Sequence, residues 1–294
     1  MSTGRLDSPM LGIGLMVLAV GVFSVMDGLV KLAINTGLTS VQVVFFRSLF
    51  GLLPVVAMAA MASNGLASLR PINTRAHALR AALNLASMLL FFTGVGMMPL
   101  ADAIAIAFAA PLFLTILSIP LLGERVGLHR WAALAVGFSG VLVMTRPGEG
   151  GVDVAALLVL ASAFTYALGL VLVRRLSAQE TAVALAFSSA LLPAVATGFA
   201  MPWLWVNPQS GWVWGLLVVI GLLGGCGQLL MINAFRRAEA SLLAPFDYIA
   251  LLWAAGIGIV LFGDWPGLNI WIGAAIVISA GLYILHREQQ RRRG

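Results

Sequence analysis

Polar residues interrupt this chain at short, regular intervals, and between them lie apolar runs too long for a soluble core. The first five extend from Met10 to Ala33, Val41 to Ala62, Leu79 to Met97, Ala101 to Leu122 and Trp131 to Met144. The next five extend from Val154 to Val173, Ala182 to Met201, Trp212 to Asn233, Leu242 to Phe262 and Ile270 to Leu285. A membrane-spanning helix needs about 20 apolar residues, whereas a barrel strand needs about 9 to 11 with alternating polarity. The pattern therefore predicts an all-α integral membrane protein with ten transmembrane helices. The first run is longer than a signal-peptide core and carries Lys31 within it, so it is read as a retained helix.

Composition adds an exclusion. Of 294 residues 61% are hydrophobic and 10% are charged, with a mean hydropathy of +1.02. A soluble domain carries about 25% charged residues, so no water-facing domain fits beside ten spans. The net charge of +6 is scattered between apolar runs instead of forming a stripe, which argues against nucleic acid. Topology accounts for it: with both termini cytoplasmic, the inner loops collect every Lys and Arg except Lys31, Arg47 and Arg146. One span more or fewer would move every later loop across the membrane and destroy that asymmetry. Cys226 is single, so neither a disulfide within the chain nor a cysteine-based metal site is expected.

The chain also repeats itself. A shift of 140 or 141 residues aligns Phe23-Ser24 with Phe164-Thr165, Gly28 with Gly169, Gly123-Glu124 with Gly263-Asp264, Trp131 with Trp271 and Ser139 with Ser279. The division is residues 1–146 and 147–294, the second part ending in a basic cytoplasmic tail. Five spans per half is an odd number, so the two five-helix repeats are inverted relative to one another. Inverted repeats are the frame on which many carriers alternately expose a midplane site.

These features resemble the drug/metabolite transporter superfamily, in its EamA-type branch of ten-helix carriers. The resemblance rests on the two repeats, on Phe45-Phe46-Arg47 in the second helix, and on the stretch from Pro111-Leu112-Phe113 to Leu122-Gly123-Glu124-Arg125. Trp131 and the fifth-helix Gly137 and Gly140 extend it. The second repeat departs from the pattern, with Leu251 in place of a second Pro111 and Ser188 opposite Arg47. Within the branch the chain looks most like YddG-type amino-acid exporters, which implies the bacterial inner membrane and an outward physiological direction.

Ionisable residues inside a span demand an explanation. Asp27 and Lys31 stand four residues apart on the first helix and can pair on one face. Arg47 lies in the outer part of the second helix, and Asp102 opens the fourth. These four form either a structural network of ion pairs, the preferred reading, or an outer gate with Arg47 as a carboxylate anchor. Nearer the midplane Asn84, Ser87, Phe91, Tyr166, Phe187, Ser188, Gln228, Asn233, Tyr248 and Trp253 offer amides, hydroxyls and aromatic faces, a lining suited to a zwitterion with an apolar body. Each aromatic has packing or lipid contact as its competing duty. Asp247 is either a proton site or a cytoplasm-facing carboxylate near Arg236 and Arg237, the latter being preferred. Pro54, Pro111 and Pro193 are expected to kink their helices.

No HExxH or GxSxG pattern occurs, and His77, His129 and His286 fall at inner loops or ends, so the chain is read as no enzyme. The expected function is export of amino acids, aromatic or otherwise neutral, or of related small metabolites by alternating access. The alternative is multidrug or other metabolite efflux on the same scaffold. No cofactor or metal is implied; the partners are a small-molecule substrate and the lipid bilayer, for a monomer or weak homodimer.

Overall fold

The computed structural model describes residues 9–61, 65–69, 73–123, 128–145, 153–176, 182–238, 243 and 246–293. Among these every regular element is helical. In lipid, backbone amides and carbonyls must find partners within the protein, and apolar runs of this length without alternating polarity satisfy them by coiling into helices. The elements are α1 (Pro9–Asn35), α2 (Ser40–Met61), a 3-10 turn (Gly65–Leu69), α3 (Thr74–Val95), α4 (Leu100–Ala107), α5 (Ala110–Leu122) and α6 (Leu128–Thr145). They continue with α7 (Val154–Leu176), α8 (Ala182–Leu204), α9 (Gly211–Arg237), α10 (Ile249–Ile257), a π-helical turn (Gly258–Phe262) and α11 (Leu268–Arg293). Among the described residues seven segments are long and apolar enough to cross a membrane, and Trp131–Thr145, Ile249–Phe262 and Leu268–Ile284 are shorter apolar helices.

The fourth expected span is two helices. Its chain leaves the helix at Phe108–Ala109 and re-enters at Ala110, with Pro111 at the start of α5. Proline explains the break there, because it removes an amide hydrogen while its fixed φ suits a helix start. Yet Tyr248, 140 residues later, occupies a turn before α10, and Leu251 stands where proline would be. The second break therefore lacks a proline at the matching position, and the nearest one in the sequence, Pro245, comes three residues before Tyr248. Both segments end on a left-handed glycine, Gly123 at φ 68° and Gly263 at φ 69°, also 140 residues apart. A side chain is strained at such φ values, so glycine is required at both stops. In contrast α2 and α8 continue as helices through Pro54 and Pro193.

The chain divides into two compact units, each drawing helices from both halves of the sequence. The boundary expected at 146/147 lies outside the described residues.

The first unit, Met1–Ile72 with Glu180–Ala254, contains α1, α2, α8, α9 and the start of α10. Here α9 packs along both α1 and α2. Its glycines make this possible: a Cβ at Gly221 would lie 2.9 Å from the Phe46 carbonyl oxygen, one at Gly225 would collide with Pro54, and one at Gly227 would lie 2.9 Å from the Phe23 ring. Small residues let backbones approach and gain dispersion contacts where lipid supplies no hydrophobic drive. At one end of this unit Met16, Val20, Ala234, Ala238 and Leu243 form a buried cluster.

The second unit, Asn73–Gln179 with Ala255–Gly294, pairs α3 with α7 and α6 with α11. Gly140 and Gly273 face each other, a Cβ at Gly140 lying 2.8 Å from the Gly273 oxygen. Between α3 and α7, buried Ser87 Oγ donates to the Ser162 carbonyl at 3.1 Å and Ser162 Oγ donates to the Ser87 carbonyl at 2.9 Å. Such bonds between membrane helices are worth about 0.6 to 2 kcal/mol. Ser87→Ala should therefore lower stability by about 1 kcal/mol. The double variant with Ser162→Ala should cost less than the two single effects added together, a coupling that thermal unfolding in detergent measures.

Candidate functional site

Three helices of the first unit place unlike chemistry side by side. Met26 and Asp27 are consecutive on α1, Arg47 projects from α2, and Gly224 belongs to the glycine run of α9. Arg47 Nε donates to Met26 Sδ at 3.4 Å. A Cβ at Gly224 would stand 3.3 Å from that sulfur and 3.4 Å from both Cγ and Nε of Arg47, so the missing side chain leaves room for the guanidinium stem. Asp27 lies deep in the same region, near enough for its charge and that of Arg47 to act on one another. Both side chains nevertheless keep part of their surface accessible.

Lys31 sits one turn from Asp27 on α1 and is buried at 7% exposure, and Arg47 on α2 is an opposite charge acting on Asp27 from a second helix. Asp102 belongs to the second unit, in the first turn of α4, where a carboxylate complements the positive end of the helix dipole.

Of the remaining expected residues, the first unit holds Phe187, Ser188, Gln228, Tyr248 and Trp253, and the second holds Asn84, Ser87, Phe91 and Tyr166. Gln228 is partly buried and follows Gly224 by four residues, on the same face of α9. Trp253 is 44% exposed, and its indole lies 3.6 Å from where a Cβ of Gly21 on α1 would stand. Tyr166 is 46% exposed, and Phe91 lies beside Phe92 with ring centroids 6.1 Å apart. Asn84 Nδ2 donates to Met88 Sδ at 3.4 Å. Ser188 is buried, and its hydroxyl donates to the Leu185 carbonyl on its own helix at 3.2 Å. Ser87 bonds Ser162, and Asn233 donates to the Leu229 carbonyl while accepting from Arg237.

Several contributors escaped the sequence reading. Met26 reads as one apolar residue among many, and only the packing of α1 and α2 on the same helix, α9, brings its sulfur within reach of Arg47 Nε. Gly224 lies in an obvious glycine run, but nothing local says which glycine faces Arg47. Gln42 is wholly buried at 0% exposure; its Nε2 donates to the Val206 carbonyl at 2.8 Å and its Oε1 accepts from the Val206 amide at 3.1 Å. That clasp ties the start of α2 to the segment joining α8 and α9. Phe46 adds aromatic contacts there to Trp205 and Trp214, at centroid distances of 6.0 and 5.5 Å.

Chemically, the arrangement offers a guanidinium, which recognises carboxylate or phosphate through paired N–H groups, beside a carboxylate that attracts cations. Among the described residues no cluster of His, Cys, Asp or Glu could hold a metal ion.

The sequence matches the EamA-like transporter family twice, over residues 10–146 and 153–286. It is 30% identical over 261 residues to an S-adenosylmethionine uptake transporter of Rickettsia prowazekii, covering 87% of this chain and 86% of that one. A riboflavin transporter of Rhizobium johnstonii is 31% identical over 236 residues, covering 78% and 76%. The pseudopaline exporter CntI of Pseudomonas aeruginosa is 32% identical over 273 residues, covering 92% and 94%. A solved crystal structure shares the fold with a TM-score of 0.65 at 16% identity, over 98% of this chain and 99% of that one. These relatives are named for metabolites of several kinds, so they support the broader family and not the YddG-type exporters in particular.

Proposed function

We propose, for a chain that belongs to the EamA-like transporter family, that the cargo is a polar, multifunctional metabolite moved by alternating access past the Asp27–Arg47 pair. The protein is a multi-pass membrane transporter, and its relatives are named for small molecules. The observation carrying the cargo reading is that two opposite charges sit among apolar helices and still keep accessible surface. A pair serving structure alone gains most by being sealed from water and saturated with bonds. Gln228, on the Gly224 face of α9, and the aromatic side chains of Phe187, Tyr248 and Trp253 supply hydrogen bonding and apolar cover for the rest of such a molecule.

The frame is ten spans in two inverted five-helix repeats, residues 1–146 and 147–294. Support comes from the double family match, from the matched left-handed stops at Gly123 and Gly263, and from the helix breaks at Phe108 and Tyr248. Placing both termini in the cytoplasm follows from the Lys and Arg distribution. Direction is left to the gradients, because an alternating scaffold runs both ways and the relatives include an uptake transporter and an exporter.

Counterflow in proteoliposomes tests this reading. Vesicles loaded with unlabelled S-adenosylmethionine, riboflavin, histidine or phenylalanine should accumulate the matching labelled compound, with at least one non-amino-acid metabolite among those carried. Saturable counterflow restricted to amino acids would reinstate the amino-acid exporter. Absence of counterflow for every compound by folded protein would remove the metabolite-carrier reading.

A further inference from the structure

Arg47 meets Met26 by its Nε edge, one of the two edges through which a guanidinium grips a carboxylate in the paired, side-on manner. The acceptor occupying that edge is a thioether, among the weakest that proteins offer. A carboxylate in its place would make a charge-assisted bond roughly twice as strong as a neutral one. Methionine is also easily displaced, having three rotatable side-chain bonds and no branch to fix it. On the third side Gly224 presents no side chain, where a Cβ would already stand 3.4 Å from Nε. The Nε hydrogen is therefore held by a flexible, weak acceptor and bounded closely by Gly224, with a carboxylate, Asp27, next to that acceptor on α1.

We infer that Met26 Sδ is a placeholder on Arg47, exchanged during binding for a carboxylate of the substrate, whose cationic group then faces Asp27. The inference rests on the carrier reading above and narrows its cargo to zwitterions bearing a carboxylate. Exchange suits a carrier better than a permanent anchor. While the site is empty the thioether accepts the Nε hydrogen, and it returns when the substrate leaves. Gly224 limits which groups reach the edge, and Arg47 selects among them.

The test compares carboxylate-bearing probes with their decarboxylated counterparts: S-adenosylmethionine with decarboxylated S-adenosylmethionine, and histidine with histamine, with riboflavin as a probe lacking a carboxylate. Counterflow in proteoliposomes and the shift in melting temperature in detergent report transport and binding separately. At least one carboxylate-bearing probe should be carried, and its decarboxylated counterpart should bind about tenfold more weakly or worse. Its affinity should fall through Met26→Leu, wild type, Met26→Gln and Met26→Glu in that order, because each successive group competes harder for Nε. Gly224→Ala should weaken the same probe while leaving the protein folded. An order that is flat or reversed, equal binding of the decarboxylated member, or transport of riboflavin alone overturns the inference and leaves the metabolite-carrier reading standing. Failure of folded protein to move or bind any probe overturns both.

Discussion

Gly225→Leu should leave little folded protein. A Cβ at this position collides with Pro54 Cγ and the backbone of Gly51 on α2, and four residues earlier Gly221 meets the Phe50 Cβ and the Phe46 carbonyl in the same way. The obstacles are backbone and a proline ring, which cannot rotate aside as the end of a flexible side chain can. Overpacking a filled core costs about 1 to 3 kcal/mol, and a whole leucine driven between two helix backbones should exceed that range. Gly225→Ala, adding one carbon, should cost about 1 to 3 kcal/mol. Gly215 on the same helix is the control: nothing lies within 4 Å of its Cβ position, so Gly215→Ala should change stability by no more than about 1 kcal/mol, in the stabilising direction. Thermal unfolding in detergent, followed by size-exclusion recovery, ranks the three variants. Retention of wild-type stability by Gly225→Leu would show that α2 and α9 do not pack as described.

Arg47→Ala should impair both folding and transport, and a second variant separates the two effects. Removing the guanidinium leaves Asp27 as a carboxylate without its opposing charge among apolar helices. Breaking a buried pair from one side costs about 3 to 5 kcal/mol; the lower end applies here because both side chains keep accessible surface. Neutralising both partners together, as in Asp27→Asn with Arg47→Gln, removes the uncompensated charge and should restore yield to within about 1 kcal/mol of wild type. Transport should stay at least about a hundredfold down in the double variant, a loss near 2.7 kcal/mol of substrate recognition. Recovery of transport along with folding would make the pair purely structural. Normal yield of Arg47→Ala with transport lost would instead show that the pair contributes nothing to folding.

The single-residue features most legible in the sequence were those whose cause is local. Pro111 announced a break in the fourth span because a missing amide hydrogen acts on the carbonyl four residues earlier, whatever surrounds it. Gly123 and Gly263 stood out as matching anchors because a left-handed stop requires glycine in each repeat. Tyr248 was proposed as a binding residue but not as a helix break, since Leu251 stands where the first repeat has Pro111. Ser87 was grouped with site residues because a hydroxyl in an apolar span suggests a cavity, and its bonds to Ser162 became visible only with the approach of α7.

What the sequence alone determined is the class of solution: helices, because lipid leaves backbone groups no other partners, and a transporter family, because its pattern recurs across both halves of the chain. Tertiary structure decided the partners. An i, i+4 spacing places Asp27 and Lys31 on one face of α1, and the packing of α1 and α2 on α9 brings Arg47 near Asp27 with its Nε on Met26 Sδ. Spacing along one helix specifies which side chains share a face, whereas the distance between helices is set by the small residues at their crossing. Gly221, Gly224 and Gly225 bring α9 against α2 and leave Arg47 room beside Met26, and those contacts exist only once the chain has folded.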